Sequence, residues 1–371
     1  VGTETSTTSA PAPKAPARSR TPRPGRGAGL RVRRRRSRIA GRQTLAGWLF
    51  VSPALIGLGV FLVLPILLAL WVSFREWSGL APLETSRAVG LDNYRDLLVD
   101  SGVAQTDFAK SLRNNFYYVL GVVPVQTFLA LVLAVLVNQK LLKGRTFFRT
   151  AFYFPSVTSS IAVAFIFVFL FSPTGLVNAL LSALLPGTLS LVWLDEPTGL
   201  IHLLLGLVGV DAPPAFLAEH DLMGLSYWEW LSGPSVALSA IMILATWTTI
   251  GTFMLMFLAG LQGIPEEIDE AAAIDGVSPR QRFFRITLPM LRPTLFLVLT
   301  LGLIGTWQVF DQVYAMTEGG PQKTTFTPAY LVYREGFRNA AMGRAAAIAF
   351  ILFALIMLLT GLQRLLLRRK D

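Results

Sequence analysis

The 371-residue sequence has no cysteine, which excludes a disulfide framework, a thiolate metal site and a thiol redox motif. Histidine is nearly absent as well. His202 and His220 are the two in the chain, and with no clustered ligands around them a metal site is not expected. No Gly-x-x-x-x-Gly-Lys-Ser/Thr loop occurs, so the usual backbone cradle for nucleotide phosphates is missing. Charge is the remaining shortage: 15% of residues are Asp, Glu, Lys or Arg against 53% hydrophobic, a balance that excludes an ordinary soluble domain.

What the chain has in abundance is long apolar runs. Six approach the length of a helix that crosses a hydrocarbon core about 30 Å thick: 45–74, 116–138, 151–172, 237–262, 288–310 and 345–366. Their middles carry no ionisable residue, and Arg292 stands one turn into the fifth. Proteins that couple transport to an ion gradient commonly place such groups near the midplane, so a secondary transporter is the weaker alternative. Pro53, Pro65, Pro124, Pro155 and Pro293 fall inside the runs. A bilayer helix tolerates them when neighbours cover the freed carbonyls, so bent, bundled helices are expected.

Basic residues set the orientation, because cytoplasmic segments retain positive charge. The tail 1–44 has twelve Lys or Arg, the link 139–150 has Lys140, Lys143, Arg145 and Arg149, and the end has Arg364, Arg368, Arg369 and Lys370. The segment 173–236 has no Lys or Arg and six acids, and 75–115 is slightly acidic. Both termini and the loop 263–287 are therefore expected inside, with 173–236 outside. The net charge of +11 needs no nucleic-acid partner, since "RVRRRR" at Arg31–Arg36 precedes the first span as a topology signal does. The first run is too long for a signal-peptide core and reads as a retained span. The Ala-, Pro-, Thr-, Ser- and Arg-rich tail before it is expected to be disordered.

The loop 263–287 contains "EAAAIDGVSPRQRFFRITLP", Glu270–Pro289 in the wider segment. Pro265 suits the first position of a helix, and Glu266, Glu267, Asp269 and Glu270 suit its positive end. Ala271, Ala272 and Ala273 leave a low-relief helical face, and Gly276 permits a left-handed stop. Ser278 and Pro279 read as the cap and first residue of a second helix. Arg280, Arg282 and Arg285 interleave with Phe283, Phe284 and Ile286, so the residues alone allow either a helix on lipid headgroups or a protein-docking element.

Glu270, Ala271, Ala272, Gly276, Ile286, Leu288 and Pro289 together resemble the "EAA" signature of permease subunits of binding-protein-dependent ABC importers. This stretch and "WQVFDQVYAMTEGGPQKTTFTPAYLVYREGF" look like the carbohydrate-uptake branch, relatives of the maltose and glycerol-3-phosphate permeases; about 111–365 is covered. The resemblance implies an all-α integral membrane protein, a six-transmembrane-helix permease bundle with a cytoplasmic coupling helix. It implies a basic cytoplasmic tail 1–44, a first span with its outer loop at 45–110, a permease domain at 111–365 and a cytoplasmic end at 366–371. The short helix would dock in a cleft of a cytoplasmic ATP-binding subunit dimer through Glu270, Ala271, Ala272 and Gly276.

That family further implies a second six-span permease subunit, an extracytoplasmic solute-binding protein, a bacterial inner membrane and a carbohydrate substrate, with glycerol 3-phosphate or a related polyol phosphate as the alternative. No cofactor is expected on this chain, ATP and Mg belonging to the ATPase, and no catalysis by it. Polar and aromatic groups within the spans are candidates for the solute path: Gln126, the Thr246–Thr252 cluster with Thr246, Trp247 and Thr249, and Trp307, Gln308, Asp311 and Gln312. Trp307 equally suits an interfacial anchor and the threonines equally suit interhelical packing. Segment 173–236 departs from the family: "PTGLVNALLSALLPG" at Pro173 recurs as "PTGLIHLLLGLVGVD" at Pro197. These pieces are too short to span and are expected as amphipathic helices at the outer surface, a spacer or an extra contact for the binding protein.

Overall fold

The structure is a computed structural model and describes residue 2 and residues 38–139, 142–184, 191–210 and 212–367. Most of the basic tail, "RVRRRR" included, and Lys140, Arg368, Arg369 and Lys370 lie outside the described residues. The chain divides into two compact units, 1–60 and 61–371.

Nearly all of the described chain that is regular is helical, as the apolar runs require, because a helix satisfies its own backbone groups where water is absent. In chain order the principal elements are α1 (Ala46–Val72) and α2 (Val103–Asn138). A bent pair follows, α3 (Arg145–Val157) and α4 (Ser160–Leu170), then α5 (Val236–Gln262) and the short α6 (Glu266–Ile274). A second bent pair, α7 (Pro279–Met290) and α8 (Arg292–Trp307), leads to α9 (Asp311–Met316), α10 (Pro328–Tyr333) and α11 (Met342–Leu366).

Helices α1, α2, α5 and α11 are each long and apolar enough to cross a membrane, and counting each bent pair as one crossing brings the number to six. The third and fifth runs are thus angled rather than straight. Between α3 and α4 the axis turns by 97°, and between α7 and α8 by 66°. Pro155 lies in the last turn of α3, and Thr158 is extended before Ser159 starts α4. At the second bend Pro289 and Pro293 flank Leu291, each lacking the N–H that would carry the helix through. Met290 therefore ends α7, and the straight part of the fifth run begins at Arg292.

Helices α2 and α5 form the most extensive pairing in the 61–371 unit. On one side of it Phe108, Tyr118, Val122, Leu238, Ile241 and Leu244 are buried with Val313, Phe326, Tyr330 and Ile348. Toward the other end Ala130, Ala134 and Val137 of α2 meet Phe253, Met254, Phe257 and Leu258 of α5, with Leu291 and Val298. Alanines on α2 allow this close approach, which drives association where solvent gives no hydrophobic help. Gln126 and Thr249 fall in the interval between the two clusters and bond to one another. They put a polar level between the two apolar clusters.

The duplicated "PTGL" segment leads into a short helix twice, from a turn in the first copy and from extended backbone, with Gly199 bridged to Ser235, in the second. Helices Leu176–Leu184 and Leu200–Leu207 each begin three residues after their proline. Asn178 is buried beneath the first, donating to the carbonyls of Pro173 and Leu191 and accepting from Trp193 Nε1. An antiparallel ribbon, Asp221–Leu222 with Leu225–Ser226, follows. A second, Arg75–Glu76 with Arg87–Ala88, lies after α1.

Candidate functional site

A cavity of about 450 Å³ opens at the polar level between α2, α5 and α8. One wall is α2, whose Tyr118, Val122 and Gln126 recur every four residues and so share a face. The opposite wall is α5, through Ala245, Thr249, Thr252, Phe253 and Met256. Gly302, Gly305 and Thr306 of α8 and the turn Gln308–Gln312 close the rest. The Thr249 hydroxyl donates to Gln126 Oε1 at 2.6 Å and lies 2.8 Å from the Ala245 carbonyl, which fixes the buried amide at the cavity wall. Gly302 leaves the space that this amide fills, since a Cβ there would stand 2.8 Å from Gln126 Nε2.

The polar candidates divide between three places. Thr249, Gln308, Asp311 and Gln312 line this cavity together with Gln126. Thr246 and Trp247 turn away from it and line an apolar groove with Met242, Ile243, Phe152 and Pro155. The Trp247 ring also meets that of Phe167, tilted by 41° at 5.6 Å. Trp307 is buried to 4% and packs with Leu352 and Ile356, its Nε1 without a partner, so it is neither exposed at a surface nor a lining residue of the cavity. Tyr118, Phe253, Phe310 and Gly302 are lining residues that the sequence reading passed over. The four-residue spacing of Tyr118, Val122 and Gln126 was the available signal.

Outside the cavity lining, residues of α2 and of 318–344 tie the chain together over long sequence distances. Asp107, buried on α2, receives Lys323 at 2.6 Å and Arg334 at 3.6 Å. Asn114 Nδ2 donates to the carbonyls of Lys323 and Phe326, at 2.9 and 3.0 Å. Arg113 and Tyr117 donate to the carbonyls of Glu229 and Trp230. Arg338 pairs with Glu318 at 2.8 Å, a bond that raises the guanidinium pKa further above its ordinary value. Arg344 reaches Asp96 and Glu335, both at 3.4 Å.

The loop 263–291 is built from local rules. Pro265 stands one position before the helix rather than in it, and Glu266, Glu267 and Asp269 occupy the first turn of α6. Gly276 takes φ +65°, the Gly276 N–H bonds to the Ala273 carbonyl and the Val277 N–H to the Ala272 carbonyl, the Schellman arrangement. Ser278 then caps α7 in a reciprocal box with Gln281, with Pro279 at the first helical position. Asp269 and Arg282 bridge the two helices at 3.5 Å.

Of the signature residues, Ala272 is buried while Ala271 and Gly276 are exposed; Ile286, Leu288 and Pro289 are half-buried. Glu270 lines a second cavity, of about 620 Å³, with Asn138, Gln139, Asp269 and Arg282. The sequence reading passed over Ile274, 86% exposed two residues before the glycine.

Residues 126–371 match the family described as binding-protein-dependent transport system inner membrane component, and the chain belongs to that family. It is similar to the multiple sugar-binding transport system permease protein MsmF of Streptococcus mutans, 31% identical over 85% of this chain and 93% of that one. The lactose transport system permease protein LacF of Rhizobium radiobacter is 32% identical over 85% of this chain and 92% of its own length. Among solved structures, a chain of the bacterial alginate ABC transporter in complex with alginate pentasaccharide-bound periplasmic protein has the same fold. It matches with a TM-score of 0.66 at 20% identity, covering 89% of this chain and 96% of that one.

Proposed function

We propose that the chain is the permease subunit of an ATP-driven, binding-protein-dependent carbohydrate importer. The observation that carries the solute class is the cavity lining. Amides at Gln126, Gln308 and Gln312, hydroxyls at Thr249 and Thr252 and a carboxylate at Asp311 stand beside Tyr118, Phe253 and Phe310. That set complements a sugar, which offers hydroxyls at its edges and C–H groups on its faces. The sugar-transport permeases to which the chain is similar support the same assignment.

In this reading each bent helix pair is one crossing, and both termini and the loop 263–291 face the cytoplasm of a bacterium. A second permease subunit supplies the other wall of the path. An extracytoplasmic binding protein delivers solute at the end that carries Asp107 and Lys323. A cytoplasmic ATPase dimer, which holds ATP and Mg, docks on α6 through Ala271, Ile274 and the Gly276 turn, with Glu270 at the edge. The chain itself catalyses nothing. Closure of the ATPase moves α6, and the rigid turn to α7 passes that movement to α8, which forms one wall of the cavity.

The test is purification from the native membrane with identification of stoichiometric partners, followed by reconstitution with the recovered binding protein. ATP hydrolysis stimulated by a sugar-loaded binding protein is the expected result. Recovery of the chain alone, with uptake driven by an ion gradient, overturns the proposal in favour of a secondary transporter.

A further inference from the structure

The charge in and around the cavity narrows the solute class, and this step rests on the carbohydrate reading above. Asp311 is the one charged residue among those that line the cavity, and no lysine or arginine lines it. Its carboxylate is exposed and, among the described residues, makes no hydrogen bond or ion pair, and the side chains of Gln308 and Gln312 beside it make none there either. The three residues stand at the break between α8 and α9 and line the cavity together.

Cations are present nearby in the segment that follows, yet the chain's own acids engage them. Lys323 and Arg334 meet Asp107, Arg338 meets Glu318, and Arg344 meets Asp96 and Glu335. Arg113 is held by the Glu229 carbonyl and Asn114 Oδ1. Lys110 lies two turns before Tyr118 on α2 and does not line the cavity. A solute that bore a carboxylate or phosphate would meet an unpaired negative charge and no positive one on this wall.

We infer that the cavity selects uncharged glycans over uronate- or phosphate-bearing ones, with Asp311 as the specificity-determining residue. Its two oxygens accept from vicinal hydroxyls of a neutral sugar, a geometry to which a carboxylate is suited. The same charge repels an anionic sugar, and at contact distance even a water-exposed carboxylate gives a preference on the order of several-fold to tenfold. The solute range of this wall thus differs from that of the alginate transporter, whose likeness is one of fold.

The experiment uses the complete complex with its partner chains in lipid nanodiscs, and saturation-transfer NMR with lactose, cellobiose and the C6-oxidised uronate of each. The neutral sugars should saturate, and the uronates should respond on the order of tenfold less. Asp311→Asn should narrow that gap and Asp311→Lys should reverse it. Asp311→Asn keeps the shape of the side chain and removes no partner, so its melting by circular dichroism should match the parent. Equal saturation by uronates in the parent complex overturns the inference, as does a gap that Asp311→Asn leaves unchanged. Absence of saturation by all four sugars overturns the carbohydrate reading itself and the inference with it.

Discussion

At the end of the 61–371 unit that carries Asp107, side chains meet partners far away in sequence. Asp107 and Lys323 are separated by 216 residues, Asn114 and the Phe326 carbonyl by 212, Arg113 and the Glu229 carbonyl by 116. At the opposite end the bonds that shape α6 and α7 are local: a three-residue capping box, a Schellman turn, and the exposed Asp269–Arg282 pair. One end is cross-linked into a single body. The other is a helix–turn–helix shaped by its own neighbours, with Ala271, Ile274 and Gly276 exposed. In the proposed importer, the first is the end that receives solute and the second the end that the ATPase would move.

The largest effect is expected where the cross-links are deepest. Replacing both Lys323 and Arg334 with methionine leaves the buried Asp107 carboxylate uncompensated, a change that costs roughly 3–5 kcal/mol. Unfolding in mixed micelles measures it. Asp269→Ala with Arg282→Ala at the other end should cost only about 0–1 kcal/mol, because that pair is nearly half-exposed. Equal losses in the two double variants would break the comparison.

Next comes Gly276→Val. Nothing lies within 4 Å of where its Cβ would be, so the strain is confined to the backbone, which a left-handed residue carries at about 1–2 kcal/mol. Its abundance in the membrane should be unchanged while sugar-stimulated ATP hydrolysis falls roughly tenfold, the factor that 1.4 kcal/mol represents. Uptake at the parent level would remove the coupling role from this turn. Ile274→Ser sharpens the point: the chain's own stability should move by less than about 0.5 kcal/mol, as for an exposed site, while co-purification of the ATPase weakens.

The smallest effect is expected in the segment 199–235. His202 stacks on Trp228 at 4.2 Å, its Nε2 lies 3.1 Å from the Trp228 carbonyl, and burial pushes its pKa down. A base depressed in the folded state is stabilising when neutral. The contribution is therefore complete above the unfolded value of about 6.5 and is lost as pH falls through the lower folded value. Hydrogen exchange in 199–235 should speed up on acidification in that window, and His202→Gln should flatten the response. A pH-independent exchange rate in the parent protein would show that this ring does not hold the lobe.

Much of the loop was legible beforehand because its determinants are neighbours in sequence. Ser278, Pro279 and Gly276 act on residues within one turn, and the structure places caps and stop where those residues stand. Pro265 missed by one position, the usual uncertainty at a helix start. The repeated "PTGL" likewise precedes two short helices, although only the first copy forms a turn. The cavity was legible only in part. Thr246, Trp247 and Thr249 are adjacent in sequence, but successive helical residues point about 100° apart, so they open onto different spaces.

The sequence by itself determined the helical class, the candidate crossings and the local stops and caps, because apolar length, proline, glycine and capping side chains act on the backbone next to them. Tertiary packing alone decided which face of α5 joined Gln126 and Asp311, that Trp307 became core, and that Asp107 would hold Lys323 and Arg334. Those outcomes depend on the rotation and crossing of helices relative to each other. No residue encodes that relation alone, because it is fixed only when the facing surfaces meet.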